Sequence, residues 1–259
     1  MYPNEIFWGL GLYEIFLVLG FLGAVICFRV FADRNHFSAS MQNLCIVCAL
    51  AALVGGYGSA VLFQAVYNAL DGDGFAITKT TGATFYGGLI GGVGVFLLIY
   101  FVAGHFLLKK GEAKKNFSLL SDIAAPAIAF AHGMGRIGCL FAGCCHGKVT
   151  DAWYGIYTDY LGKKTVPLQL FEALFLFALC AFLIWRLLKH RRGNLAVYLM
   201  AYAVWRFIIE YWRADDRGAT VVSFLSPSQL IAVLLFLVGG AMLLIGHLRR
   251  ARKEKGHEA

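Results

Sequence analysis

Charge is what this sequence has least of. Only 15% of its 259 residues are Asp, Glu, Lys or Arg, against about 25% in an ordinary soluble domain. With 59% apolar residues and a mean hydropathy of +0.68, the chain has too little polar surface to coat a water-soluble globule. The apolar excess must face lipid, which excludes a soluble helical bundle. No internal repeat, low-complexity segment or soluble second domain is visible. The first apolar run has no basic stretch ahead of it and no small-residue cleavage site, so no cleavable leader is expected. A disulfide framework is missing too. The 7 cysteines (27, 45, 48, 139, 144, 145 and 180) are scattered mostly through apolar runs, where most would serve as small core hydrophobes.

What is present is a series of apolar runs. A span needs roughly 20 mainly apolar residues to cross a hydrocarbon core of about 30 Å. Runs of that kind fall near Leu10–Phe31, Leu44–Tyr67, Ala83–Leu108, Ile123–Phe141, Leu168–Leu188, Leu195–Trp212 and Phe224–Leu248. The expected fold is therefore all-α, a polytopic membrane protein of about seven helices in a single integral domain over 1–259. The fourth and sixth runs are short and interrupted by glycine or charge, as in spans buried among other helices.

The net charge of +8 sits in short basic clusters between apolar runs, as topology requires, and not on a nucleic-acid-binding face. Of the 23 Lys and Arg, one side collects 15, from Arg29 and Arg34 through Lys109 to the Arg249–Lys255 tail. The other side collects 6: Lys79, Lys148, Lys163, Lys164, Arg213 and Arg217. The positive-inside rule then puts the N-terminus outside and the C-terminus in the cytoplasm. The insertion over 144–167 faces outward and carries Trp153, Tyr154, Tyr157 and Tyr160, an aromatic density suited to the membrane interface.

Two basic residues are left inside or near spans, Arg136 and Arg206. An arginine deep in a span costs roughly 2.5–3.5 kcal/mol on insertion scales, so it is usually paired and usually functional. In Arg206-Phe-Ile-Ile-Glu210-Tyr-Trp-Arg213, the spacings of four and three put all three charges on one helix face. Their positive excess over one carboxylate points to an anionic ligand, since arginine forms forked bonds to phosphate oxygens. Packing alone, by an ion-pair ladder, is the plainer account. Arg136 lies in a run from His132 to Gly147 with glycines at 133, 135, 138, 143 and 147, which permit close approach of a helix or a ligand. Its plainer account is a side chain that snorkels to the interface. Glycine pairs 87/91 and 88/92 open the third run in small-xxx-small spacing, a packing motif when taken alone. Tyr13 and Tyr86 each offer a hydroxyl to a buried polar ligand.

Together these residues resemble the prolipoprotein diacylglyceryl transferase family over nearly the whole chain. The resemblance rests on an ordered set: Leu12-Tyr13, Tyr86-Gly-Gly-Leu-Ile-Gly91, Gly135-Arg136-Ile-Gly138, Pro167-Leu-Gln169-Leu-Phe-Glu172, Arg206-Phe-Ile-Ile-Glu210-Tyr-Trp-Arg213 and Ser226-Pro-Ser-Gln229. It implies a multi-pass protein of the bacterial plasma membrane that acts as a transferase. Such an enzyme moves the diacylglyceryl group of phosphatidylglycerol to the thiol of a lipobox cysteine in a preprolipoprotein, and glycerol phosphate leaves. It further implies Arg136 and Arg206 at the phosphate, with Tyr86 and His132 as the other catalytic candidates. Tyr13, Gly87, Gly88, Gln169, Glu210, Arg213 and Gln229 would line the substrate. The partners are membrane lipid and the acceptor peptide, with no nucleic acid, no metal and no organic cofactor, and a monomer is expected. The chain departs from the family pattern at Tyr86, where a histidine is usual, and at Cys139, Ala142 and Cys144, where two asparagines and a glutamate are usual. Either the two arginines suffice with His132 or His146 standing in as base, or this branch has moved to another acceptor or another lipid-transfer reaction.

Two other readings share the scaffold. Cys139, Cys144, Cys145 and His146 fall within eight residues and suit a redox pair or a soft metal, although C-x4-C-C-H matches no standard zinc pattern. Broken, glycine-rich spans with buried arginines also suit a lipid or anion transporter.

Overall fold

A computed structural model describes residues 10–72, 74–78, 81–214 and 224–255; the topological roles assigned to Lys79 and Arg217 lie outside the described residues. Among these residues there are seven α-helices: α1 (Leu12–Arg34), α2 (Ala39–Leu70), α3 (Phe85–Leu107), α4 (Glu112–Ala142), α5 (Leu168–Leu188), α6 (Asn194–Ile209) and α7 (Pro227–Lys255). A short hairpin of β1 (Ile156–Thr158) and β2 (Lys163–Thr165) lies between α4 and α5. Six helices, all but α6, are long and apolar enough to cross a membrane. The chain is a polytopic, essentially all-α membrane protein.

Of the two runs expected to be short, the sixth is short and the fourth is not. α4 is not short: it runs for 31 residues. Its first turns are amphipathic (Glu112, Lys114, Lys115) and so escape a search for purely apolar runs. α6 has 16 residues followed by a 3-10 turn at Glu210–Trp212. At about 1.5 Å per residue its α-helical part falls short of a full hydrocarbon core.

The chain packs as two compact units, 31–118 and a second formed by 1–30 with 119–259. In the 31–118 unit, α2 and α3 approach almost backbone to backbone. A Cβ on Gly56 would lie 3.0 Å from the Gly88 carbonyl oxygen, and one on Gly91 would lie 2.2 Å from Ser59 Cβ. Small residues at this spacing make van der Waals packing possible where lipid offers no hydrophobic drive between helices. Tyr100 is fully buried and donates its hydroxyl to the Ala113 carbonyl at 2.9 Å.

In the larger unit, α4, α5 and α6 share a core of Ala125, Ala129, Leu176, Leu179, Cys180, Leu183, Tyr198 and Tyr202. Pro126 inside α4 has no N–H to give the Asp122 carbonyl one turn back. That carbonyl accepts from Asn194 Nδ2 at 3.5 Å, while the Asp122 carboxylate accepts the Asn194 backbone N–H at 2.7 Å. An acid from one helix thus caps the start of another, where the macrodipole favours negative charge. Arg186 of α5 joins in, its Nε donating to Asn194 Oδ1 at 3.0 Å. This clamp sets α4, α5 and α6 against one another at the end of the unit away from the hairpin.

The segment after α4 is stitched down by its backbone. Gly147 N donates to Val166 O at 2.8 Å, Thr150 N to Lys164 O at 3.0 Å, and Lys148 N to Trp212 O at 2.9 Å. Gly147 has room for no side chain there: a Cβ would meet Val166 Cβ at 2.8 Å and Trp212 O at 2.9 Å. The insertion is thereby tied to the turn that follows α6.

Candidate active site

Where α4, α5, α6 and α7 of the larger unit converge near the hairpin, the rare charges of the sequence meet. Arg136 Nε lies 3.1 Å from Glu172 Oε2, whose side chain is 1% exposed. Arg136 Nη2 donates to the Tyr202 hydroxyl at 3.5 Å, and that hydroxyl donates to Glu172 Oε1 at 2.7 Å. Three helices therefore contribute one member each to a closed ring of cation, anion and phenol. His132, one turn before Arg136, has Nδ1 at 2.9 Å from the Tyr198 hydroxyl and packs edge-on against the Tyr202 ring at 4.7 Å.

Tyr202 stands one turn before Arg206 on α6, and so links the two arginines. Arg206 Nη2 lies 2.7 Å from Glu210 Oε2 and donates to Ser228 Oγ at 2.9 Å. Ser226 gives its hydroxyl proton to Glu210 Oε1 at 2.8 Å. The same serine begins α7. Its Oγ accepts from Gln229 N at 3.2 Å, and its own N–H donates to Gln229 Oε1 at 3.0 Å. With Pro227 as the first helical residue, Ser226-Pro-Ser-Gln229 is a reciprocal capping box that aims Ser228 at Arg206. Gln229 thus has a capping part. Arg213 Nε lies 3.9 Å from Glu210 Oε2, and its positive charge also acts on the Cys145 thiol.

Glu172, which lies in the Pro167–Glu172 motif without a role assigned from the sequence, changes the balance of charge. Three guanidiniums (Arg136, Arg206, Arg213) face two carboxylates (Glu172, Glu210), so a positive excess of one remains. A count of acids inside apolar runs, made alongside the count of bases, would have found Glu172. Tyr202 and Ser228 carry no such signal, because hydroxyls are common in spans. Among the described residues, Arg206 Nη1 and Gln169 Oε1 are buried with no hydrogen-bond partner. Nearly all buried polar atoms are paired, so each open atom marks a place for a ligand or water. Gln169 spends its Nε2 on the Cys144 carbonyl.

At the end of α4, Gly143 takes a left-handed conformation (φ 75°), as does Cys145 (φ 62°). That reversal brings the chain back on itself. The sulfurs of Cys139, Cys144 and Cys145 come within 4.8 Å of one another. The Cys145 thiol is held below its ordinary range by hydrogen bonds from Cys139 and Cys144, against the opposing effect of burial, and Arg213 adds to the effect. His146 Nδ1 is turned to the Gly147 carbonyl at 2.9 Å and is not a member of the sulfur cluster.

Tyr13 of α1 is 36% exposed and abuts Gly138, where a Cβ would lie 3.1 Å from Tyr13 Cδ2. Tyr86, Gly87 and Gly88 belong to the 31–118 unit, at the start of α3. Gly87 and Gly88 are used for packing on α2: a Cβ would lie 2.6 Å from Phe63 Cβ at the first and 3.4 Å from Ala60 Cβ at the second. On the far side of α6, an apolar cleft against α7 is lined by Ala203, Phe207, Ala232 and Phe236.

These features define a class: a helical membrane protein with a polar, net-cationic site enclosed by four helices and an apolar cleft on the opposite face of one of them. The family model for prolipoprotein diacylglyceryl transferase matches residues 5–245, and the chain belongs to that family. It is 33% identical over 269 aligned residues to phosphatidylglycerol–prolipoprotein diacylglyceryl transferase 2 of Clostridium perfringens (strain 13 / Type A), with 98% of each chain covered. A phosphatidylglycerol–prolipoprotein diacylglyceryl transferase of Clostridium tetani (strain Massachusetts / E88) is 30% identical, with 93% of this chain and 94% of the relative covered. One from Geobacter sulfurreducens (strain ATCC 51573 / DSM 12127 / PCA) is 28% identical over 90% of this chain and 89% of its own length.

Proposed function

We propose that this protein transfers the diacylglyceryl group of phosphatidylglycerol to the thiol of a lipobox cysteine in a preprolipoprotein, releasing glycerol phosphate. The observation that carries the reading is the pair Arg136 and Arg206, joined through Tyr202, with Arg206 Nη1 buried and open. The lipid phosphate meets Arg206 Nη1 and the face of Arg136 not taken by Glu172. As the glycerol carbon–oxygen bond breaks, charge grows on the departing phosphate. Fixed guanidiniums in a low-dielectric site stabilise that charge without reorganising. Removing one such donor typically costs about 10²–10³ in turnover.

Glu172, Tyr202, Ser228 and Glu210 hold the two guanidiniums in place, and His132 fixes the two tyrosines; these are positioning residues. Gln169 offers its open oxygen to the acceptor, Tyr13 borders the same end of α4, and the cleft between α6 and α7 takes acyl chain. Tyr86, Gly87 and Gly88 are assigned to the support of α3. The protein lies in the bacterial plasma membrane as a monomer, with the site and the 144–167 insertion on the outer side and the C-terminus of α7 in the cytoplasm. The 15-to-6 division of basic residues supports that orientation.

The test is reconstitution of the full chain in vesicles containing phosphatidylglycerol, with a lipobox peptide as acceptor and mass spectrometry of the product. A thioether-linked diacylglyceryl peptide is expected. Arg136→Ala and Arg206→Ala should each lower turnover by about two to three orders of magnitude. Folded protein with intact lipid and no thioether product defeats the reading. Movement of lipid across vesicles without its consumption would favour a transporter instead.

A further inference from the structure

The three thiols have no part in the chemistry above, and their arrangement is that of a metal site with one side open. We infer that Cys139, Cys144 and Cys145 bind a zinc ion whose fourth position takes the acceptor cysteine of the substrate peptide and holds it as a thiolate. The inference rests on the proposed transfer to a thiol and deepens it, since it supplies the nucleophile that the two arginines cannot.

The geometry fits the ion. Zinc–thiolate bonds of about 2.3 Å in a tetrahedron put sulfurs roughly 3.8 Å apart. The three sulfurs already lie within 4.8 Å of one another, so closing on the ion requires only small side-chain rotations. Among the described residues the cluster has three ligands and no fourth, and His146 turns to the Gly147 carbonyl. Structural zinc sites are closed by four protein ligands, whereas reactive sites keep three and leave a place for water or substrate. Cys144 is exposed, so the open side is accessible from outside the bundle.

Charge also fits. Zinc with three thiolates carries one net negative charge, and a bound acceptor thiolate makes it two. The Arg213 and Arg136 guanidiniums are the cations whose charge acts on Cys145 and Cys139. An electron-rich zinc thiolate is stabilised there while remaining nucleophilic. Gln169, whose Nε2 holds the Cys144 carbonyl, has its buried oxygen open to a zinc-bound water or a peptide N–H.

The step balances without an oxidant. The acceptor thiol binds zinc and its proton leaves with the displaced water or hydroxide. The sulfur electron pair attacks the glycerol carbon next to the phosphate and forms the C–S bond. The C–O bond breaks, and its electron pair departs on the phosphate oxygen held by Arg136 and Arg206. The product thioether is a weak ligand, and water replaces it.

The test uses the full-length protein in detergent, purified without chelators. Elemental analysis should give about one zinc per chain, and cobalt(II) substitution the absorption of a thiolate-bound, four-coordinate ion. Adding a lipobox cysteine peptide should shift the visible cobalt bands, and its serine analogue should not. This measurement needs neither phosphatidylglycerol nor turnover, so it succeeds or fails apart from the transferase reading. C139S, C144S and C145S should each reduce bound zinc and lower kcat/KM at least about tenfold, as expected for lost thiol activation. Three results overturn the inference. The first is a disulfide among these cysteines in protein alkylated within intact cells. The second is zinc retained by the triple serine variant. The third is a cobalt spectrum that ignores the cysteine peptide. If the triple variant does not fold, the spectrum of the wild-type chain decides.

Discussion

The two units of this protein solve the same problem in opposite ways. In 31–118, α2 and α3 are joined by the absence of side chains: Gly55, Gly56, Gly88, Gly91 and Gly92 let backbones touch. In the larger unit, α4, α5, α6 and α7 are joined by the rarest side chains the sequence has, Arg136, Arg206 and Arg213 with Glu172 and Glu210. Lipid provides no hydrophobic drive between helices, so both contact and polar bonding are available as glue. They differ in what they leave over. A glycine seam is complete once closed, whereas a charged network with an unequal count of signs leaves a cation available to a ligand.

That contrast makes predictions of graded size. The largest is for Glu172→Ala, which strips Arg136 of its partner and leaves a buried guanidinium uncompensated. Removing one member of a buried pair costs about 3–5 kcal/mol, so the apparent melting temperature in detergent should fall steeply. Glu172→Gln, which still accepts from Tyr202, should recover most of that stability while turnover stays low. If Glu172→Ala melted like the wild type, the ring around Arg136 would be ornamental.

Next comes the glycine seam. Gly91→Ala forces a methyl to within 2.2 Å of Ser59 Cβ, an overpacking that costs typically about 1–3 kcal/mol. Melting should drop, kcat of the folded fraction should hold, and adding Ser59→Gly should restore the melting temperature. A change in kcat instead would mean that the seam shapes the chemistry directly.

Asn194→Ala removes the side chain that covers the Asp122 carbonyl and receives Arg186. A loss of about 1 kcal/mol is expected, typical of one or two hydrogen bonds, read as earlier melting with KM unchanged. The smallest effect belongs to Gly94→Ala on α3. Nothing lies within 4 Å of its added methyl, so stability should stay within about 0.5 kcal/mol of wild type or rise slightly with helix propensity. Gly91 and Gly94, one turn apart, thereby distinguish a glycine needed for contact from one that is merely present.

Much of the fold was legible because hydropathy and basic residues obey simple physics. α1, α2, α3 and α5 fall within a few residues of the apolar runs that announced them. The start of α4 was missed because its first turns are amphipathic, and α7 runs past its apolar stretch through Arg249 into a basic tail. In the site, Arg136, Arg206, Glu210 and Arg213 were legible because charge is rare in spans. Ser228 and Tyr202 were not, since only the capping box of α7 and the crossing of α4 over α6 bring them to the arginines. The sulfur cluster was half legible. Three cysteines in seven residues are visible in the sequence, but their convergence depends on the left-handed turn at Gly143 and Cys145.

The insertion is fastened at its own neck. Thr150 is bonded to Lys164, and Gly147 to Val166, before the chain goes on to α5. Everything between, including Trp153 and Tyr157 at the exposed tip, is a cassette whose two ends already meet. Among the described residues, the ring contact that reaches from this tip to α5 is Tyr154 on Phe171, centroids 6.1 Å apart, so a tip lengthened, shortened or exchanged beyond that tyrosine leaves the join to the bundle in place.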